Sequence, residues 1–234
     1  MTALAEPKEL DISIRDALET ALARGALPGE SEGFDHDAVL DAAAFLARTA
    51  GARRPGHVAI AMETLGEGIS GRFMRIAIIN ADMPFLVDSI ANALTAGGII
   101  IHRLLHPVLS VERDGNGHLK AILEDDAAGA RRESMIYIEA DRADAKGRHA
   151  LTKALEDTLE DVRAAVTDWP KMREAMGNDA DTVTDEEGAA LLRWFLARHF
   201  TQVGHERRRR DGKADARIGI CALKDQALLA PASL

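Results

Sequence analysis

The chain has 234 residues, 47% hydrophobic and 29% charged, which is enough apolar content to bury one sizeable core with a small satellite and too much for a disordered polymer. A net charge of −9 argues against nucleic acid or an anionic membrane surface as the main partner, and the single cysteine, Cys221, excludes an internal disulfide and fits a reducing compartment. No apolar run approaches membrane-spanning length, and the acidic amino terminus, with Glu6, Glu9 and Asp11, lacks the basic-then-apolar order of a secretory signal, so the expected location is the cytoplasm.

In chain order, residues 10–24 and 35–49 read as two short helices, joined by residues 25–33. Ile14, Leu18 and Leu22 share one face of the first, and Val39, Ala42, Ala43 and Leu46 one face of the second. Residues 57–62 alternate as a strand, and residues 72–80, reading R-F-M-R-I-A-I-I-N, suit a strand covered on both faces. A helix follows from Pro84 to the Gly97-Gly98 stop, with Phe85, Leu86, Ile90, Ala93 and Leu94 at helical spacing. A long strand over residues 99–112 turns at Asp114-Gly115-Asn116-Gly117 and returns through residues 118–123. Residues 134–140 alternate as another strand. Leu151, Leu155, Leu159, Val162, Val166 and Trp169 then form a helical stripe closed by Pro170, which predicts that Trp169 is largely buried. Thr184 with Glu187 makes a capping box for a third long helix, whose Leu191, Leu192, Phe195 and Leu196 need a buried face. Residues 200–208 and 218–223 supply a closing hairpin. Strand, helix, strands, helix, strand is an ACT-like or ferredoxin-like order, so the expected fold is α+β, with a mainly antiparallel sheet and its helices packed on one face. The expected parts are an N-terminal helical segment over 1–52, an α+β domain over 53–225 and a tail over 226–234.

Residues 80–89, N-A-D-M-P-F-L-V-D-S, are the most informative stretch. Asp82 suits a helix cap and Pro84 the first helical turn. The free amides and positive dipole end of such a helix favour a carboxylate near Met83, Pro84, Phe85 and Leu86, while Asp82 and Asp88 can hold an ammonium group. Asn80 ends the preceding strand. An amino acid carries both charges and is the effector this pattern fits. The plainer account is that Asp82 only caps and the apolar residues only pack.

Other motifs point away from chemistry. Residues 66–71 satisfy G-x-G-x-x-G, but the third glycine leads into a strand where a dinucleotide site requires a helix, so no NAD site is expected there. His102 and His106 lie four apart, and His199 and His205 near the last strand, without the supporting ligands of a metal site. There is neither an H-E-x-x-H nor a G-x-S-x-G sequence. The run Arg207 to Arg210 abuts Asp211-Gly212 and reads as a solvated hairpin end or a surface facing an acidic neighbour, in preference to a nucleic-acid site.

The run D-M-P-F-L-V-D-S (82–89), followed by I-I-I-H-R-L-L-H-P-V-L (99–109), resembles the N-terminal region of the large bacterial NAD-specific glutamate dehydrogenases. E-S-M-I-Y-I-E-A-D-R (133–142), D-V-R-A-A-V-T-D-W-P-K-M (161–172) and L-L-R-W-F-L-A-R-H-F-T-Q-V-G-H (191–205) follow in the order of that family, and the likeness spans about residues 53–223. Two departures are His205, where an aromatic is more typical, and the weak match of the first fifty residues. The resemblance implies an ACT-like regulatory segment preceding a dehydrogenase core that lies beyond this chain. The family's catalytic lysine and aspartate have no matching positions here, so no catalytic residue and no cofactor is expected in this chain, NAD belonging to the full-length protein. Its implied partners are the remaining segments and subunits of that dehydrogenase, with an amino-acid effector and a homo-oligomer expected. The alternative is a purely structural scaffold without a ligand.

Overall fold

The computed structural model describes residues 12–25, 34–51, 53–65, 73–124, 130–209 and 211–223. The chain divides into two compact units, Met1–Met83 with Ile90–Glu156, and Pro84–Ser89 with Asp157–Leu234.

The first unit is built on two strands that bury both faces. In β2 (Phe73–Ala81) seven consecutive residues are buried, and in β6 (Arg131–Asp141) eight are. Such runs force a strand to the middle of a layered structure. They pair antiparallel with Ile76 opposite Ile138 and Ile78 opposite Ile136. β1 (Ala59–Thr64) pairs with β2, and β4 (Val108–Arg113) lies between β6 and β5 (Leu119–Leu123), giving the order β1-β2-β6-β4-β5. β3 (Ile101–Leu105) also pairs with β6, ahead of β4 on the same edge. The single strand expected over 99–112 is therefore two. His106 and Pro107 interrupt it, since proline has no N–H to offer a ladder, although the Pro107 carbonyl still accepts from the Met135 amide. The hairpin turn is as read: Asp114 accepts from the Asn116 and His118 amides, and Gly117 sits at φ +88.

Alternation along the strands sorts the two faces. Ala77, Ile79, Met135 and Tyr137 face a core completed by Leu18, Leu22, Phe45 and Leu46 of α1 (Ile12–Gly25) and α2 (His36–Ala50). Ile76 and Met62, cross-strand partners, face the other way, and there the Thr152 hydroxyl of α4 (Ala145–Thr182) lies 3.8 Å from the Met62 sulfur. α3 (Leu86–Ala96) ends beside it, where a methyl group added at Gly97 would lie 3.6 Å from Leu151. The two helices of the α+β order thus share one face, as expected, and the N-terminal pair covers the opposite one. The place next to β2 that a last strand takes in the ferredoxin-like order is held by β1.

Glu133, fully buried, ties this unit together. Its carboxylate accepts from Arg53 Nη2 and Arg113 Nη2, both at 2.7 Å, and Arg113 Nη1 also donates to the Ala50 and Gly117 carbonyls. The segment before β1, the end of α2 and the β4–β5 turn are held by one buried anion.

The second unit differs more from the sequence reading. α4 is 38 residues long and runs through Pro170, so the stripe is not closed there. Burial continues past the proline at Met172 and Ala180, and this packing outweighs the roughly 3 kcal/mol that an interior proline costs. Trp169 is 40% exposed where burial was expected, the buried positions of α4 passing from Val162 to Met172 without it. The cap of α5 (Glu186–Trp194) is Asp185, whose carboxylate accepts from the Gly188 amide at 2.7 Å, one residue beyond the predicted Thr184. This helix is nine residues long and buries only Ala189 among its own, leaving Leu191 51% exposed. A single π-type turn, Phe195–His199, follows, in which Ala197 and Arg198 leave helical geometry. β7 (Gly204–Arg208) and β8 (Ala214–Gly219) form a two-stranded sheet of their own, and α6 (Ile220–Leu223) ends the described chain. A hairpin is present here, but its second strand is Ala214–Gly219 where 218–223 was expected, residues 220–223 being helical, and it adds no strand to the main sheet.

Candidate functional site

The residues singled out over 80–89 fall in both units: Asn80, Asp82 and Met83 in the first, Pro84, Phe85, Leu86 and Asp88 in the second. Asn80 closes β2 fully buried, its amide donating to the Ala81 carbonyl. Asp82 does not cap α3. Its Oδ1 accepts from the Ser134 hydroxyl at 2.9 Å, its Oδ2 lies 3.7 Å from Arg132 Nε, and its amide donates to the Arg132 carbonyl. His106 Nε2 stands 2.9 Å from the same Ser134 oxygen. Because the serine proton is committed to Asp82, this ring nitrogen carries the hydrogen and donates. Burial lowers the His106 pKa against the opposite pull of Asp82, which favours the neutral ring. The order Asp–Ser–His, with serine in the middle, leaves no base to take the serine proton, so these residues are no hydrolytic triad.

The first helical bond of α3 runs from the Ser89 amide to the Phe85 carbonyl, which places Phe85, lacking any capping atom, where a cap would stand. Pro84 accordingly precedes the helix instead of opening its first turn. Phe85 adopts φ +70, a left-handed conformation that costs a bulky residue of the order of 1–2 kcal/mol. Asp88 is exposed on the first turn, where its charge suits the helix dipole.

Within the second unit Pro84, Phe85 and Ser89 help to line a cavity of about 740 Å³. Its walls are Val162, Ala165, Val166 and Trp169 of α4, Phe195 and Leu196 of the π-turn, and the stretch from Phe200 to Val203. Arg173 lies over the Trp169 ring, 4.9 Å from its centroid. Arg198 adopts φ +72. These two residues, Phe85 and Arg198, are the non-glycine residues of positive φ among the described ones, and both line this cavity. Nothing in the periodicity announced it, since its lining comes from four separate stretches; the aromatic cluster Trp194, Phe195 and Phe200 was the available signal.

The histidines singled out in the sequence each have a structural partner. His102 Nε2 lies 2.7 Å from Asp141, His205 Nε2 3.6 Å from Asp179, and His199 stacks on Trp194 with centroids 4.5 Å apart. Among the described residues no three or more His, Cys, Asp or Glu side chains converge as metal ligands. Arg207 pairs with Asp179, Arg208 with Glu206 and Arg209 with Asp215 beside a turn at Gly212, which makes the basic run the salt-bridged end of a hairpin. Residues 66–71 lie outside the described residues; the strands on either side of them, β1 and β2, are antiparallel neighbours.

An antiparallel α+β sheet in ferredoxin-like order, with helices packed on it, defines an ACT-like domain, and a second compact unit accompanies it. The family described as glutamate dehydrogenase, ACT1 domain, matches residues 20–155, and the chain belongs to it. The match starts ahead of residue 53 and takes in α2. Among curated relatives, the NAD-specific glutamate dehydrogenase of Pseudomonas aeruginosa is 36% identical over 144 residues, 56% of this chain and 9% of that protein. The NAD-specific glutamate dehydrogenase of Halomonas elongata is 31% identical over 172 residues, 63% of this chain and 11% of that protein. The chain thus spans about a tenth of the length of these relatives. No described helix is long and apolar enough to cross a membrane.

Proposed function

We propose that this chain is the N-terminal regulatory and assembly segment of a cytoplasmic NAD-dependent glutamate dehydrogenase, whose full-length reaction converts L-glutamate, NAD and water to 2-oxoglutarate, ammonia and NADH. The observation that carries the assembly role is the placement of exposed apolar bulk. Among the described residues nine large hydrophobic side chains are exposed, and every one of these except Ile100 belongs to the second unit. Val183, Leu191, Trp194 and Leu223 among them do not line the cavity. Exposed apolar patches of this kind mark surfaces that another chain or segment covers. The partners are the remaining segments of the dehydrogenase and its other subunits, in a homo-oligomer. The residues present do not fit NAD: the stretch after the glycine motif is strand β2, which offers no helix amino terminus to a pyrophosphate. No step of the reaction is therefore assigned to this chain.

The finer reading adds an amino-acid effector at the start of α3, its carboxylate on the first-turn amides and its ammonium at Asp88. Asp82 is the weaker ammonium partner, being already engaged by Ser134 and Arg132. Two measurements test the proposal. Trp194→Asp in the full-length enzyme should break the oligomer or lower its thermal midpoint, and an unchanged sedimentation profile and midpoint would refute assembly through this surface. Calorimetric titration with an amino-acid panel should find a binder that Asp88→Asn weakens by about 1–3 kcal/mol at unchanged stability. If no amino acid binds at millimolar concentration, the segment is an assembly scaffold without an effector.

A further inference from the structure

We propose that the cavity of the second unit is a binding site for an amphipathic carboxylate, a small molecule with a large apolar body and one acidic head. The site lies outside the family match at residues 20–155 except for the 84–89 stretch, and goes beyond the assembly role. Its volume of about 740 Å³ falls in the range of roughly 300–1,000 Å³ typical of small-molecule sites. Most of the lining is aliphatic or aromatic, which sets the apolar body.

Three polar groups set the head. Gln202 is 7% exposed and lines the cavity, where its side-chain amide can donate to an acceptor oxygen. Arg173 and Arg198 both line the cavity, and neither is in an ion pair among the described residues; Arg173 has only the Trp169 face. Asp161, the acid of the lining, already has a partner. Two guanidiniums that form no ion pair among the described residues, together with an amide donor, select an anionic head with acceptor oxygens. Phe85 and Arg198 hold left-handed backbone at this cavity, and strain of this kind concentrates at functional sites.

Decanoate and phenylalanine serve as probes, separating an acyl-chain source of the carboxylate from an amino-acid source, with decanol as the neutral isostere. Binding to the purified chain is read by calorimetry and by the fluorescence of Trp169, with Trp169→Phe identifying its share of the signal. The expected result is saturable binding of at least one carboxylate, at least about tenfold tighter than decanol, and a loss of about tenfold in Arg198→Gln or Gln202→Leu with decanol unchanged. Equal affinity for decanoate and decanol in the parent protein overturns the proposal without reference to any variant. Absence of binding by both carboxylates at millimolar concentration also overturns it, and leaves the assembly surface, tested by Trp194→Asp, untouched.

Discussion

Glu133 is the residue whose removal should be felt most. Burial alone pushes its carboxyl pKa up, but the bonds from Arg113 and Arg53 outweigh burial and leave it below the ordinary 4.5. A carboxyl group with a depressed folded pKa contributes stability that is present above the unfolded value and is lost as pH falls through the folded one. Unfolding free energy should therefore decline below a pH of about 4.5. Glu133→Gln should flatten that decline and cost about 3–5 kcal/mol at neutral pH, since it leaves two guanidiniums buried without their anion. Denaturant titrations at neutral and acid pH check both statements. Arg198 behaves oppositely. At φ +72 a glycine is free of strain, so Arg198→Gly should be neutral or stabilising by up to about 1–2 kcal/mol, even though it empties one side of the cavity of charge. A clear loss of stability would mean that the side chain contributes packing beyond the contacts described.

At the scale of elements, what sequence could reveal depended on how local the controlling physics was. β2 and β6 were legible because an unbroken apolar run admits few other structures, and the β4–β5 turn because Asp114 and Gly117 encode it within four residues. The break at His106-Pro107 was not, because a strand pattern on both sides hides the one missing N–H. Pro170 misled in the other direction. It reads as a stop, yet Met172 and Ala180 need cover that only a continued helix provides. Pro170→Ala should accordingly raise the thermal midpoint, by the stability equivalent of up to about 3 kcal/mol, because it restores a donor to the Val166 carbonyl. A lower midpoint would show that the helix needs the geometry proline imposes. The capping role of Asp82 failed for a related reason: Ser134 and Arg132, some fifty residues away in sequence, hold its carboxylate.

For the whole molecule, the chain alone should neither reduce NAD with glutamate nor bind NAD tightly. A homogeneous preparation that forms NADH from glutamate would contradict this. Leu191→Asp should leave the isolated chain's stability within about 0.5 kcal/mol, since that side chain is already half in water, while weakening the full-length assembly. The family match and the sheet were reachable from the residues. The candidate cavity was not, because its walls converge from four stretches whose separate patterns are unremarkable.

The position of β1 has a consequence for how the protein is made. Because β1 closes the sheet beside β2, every strand of the main sheet is encoded between Ala59 and Asp141, and none has to wait for residues from the far end. Translation proceeds from the amino terminus at about 5–20 residues per second, so the sheet can pair within seconds, while residues 157–234 are still being synthesised. A nascent chain stalled once Glu156 has left the ribosome should already protect Tyr137 and Ile138 from proteolysis. Were protection to begin only after β8 emerges, the sheet would depend on the later unit to fold.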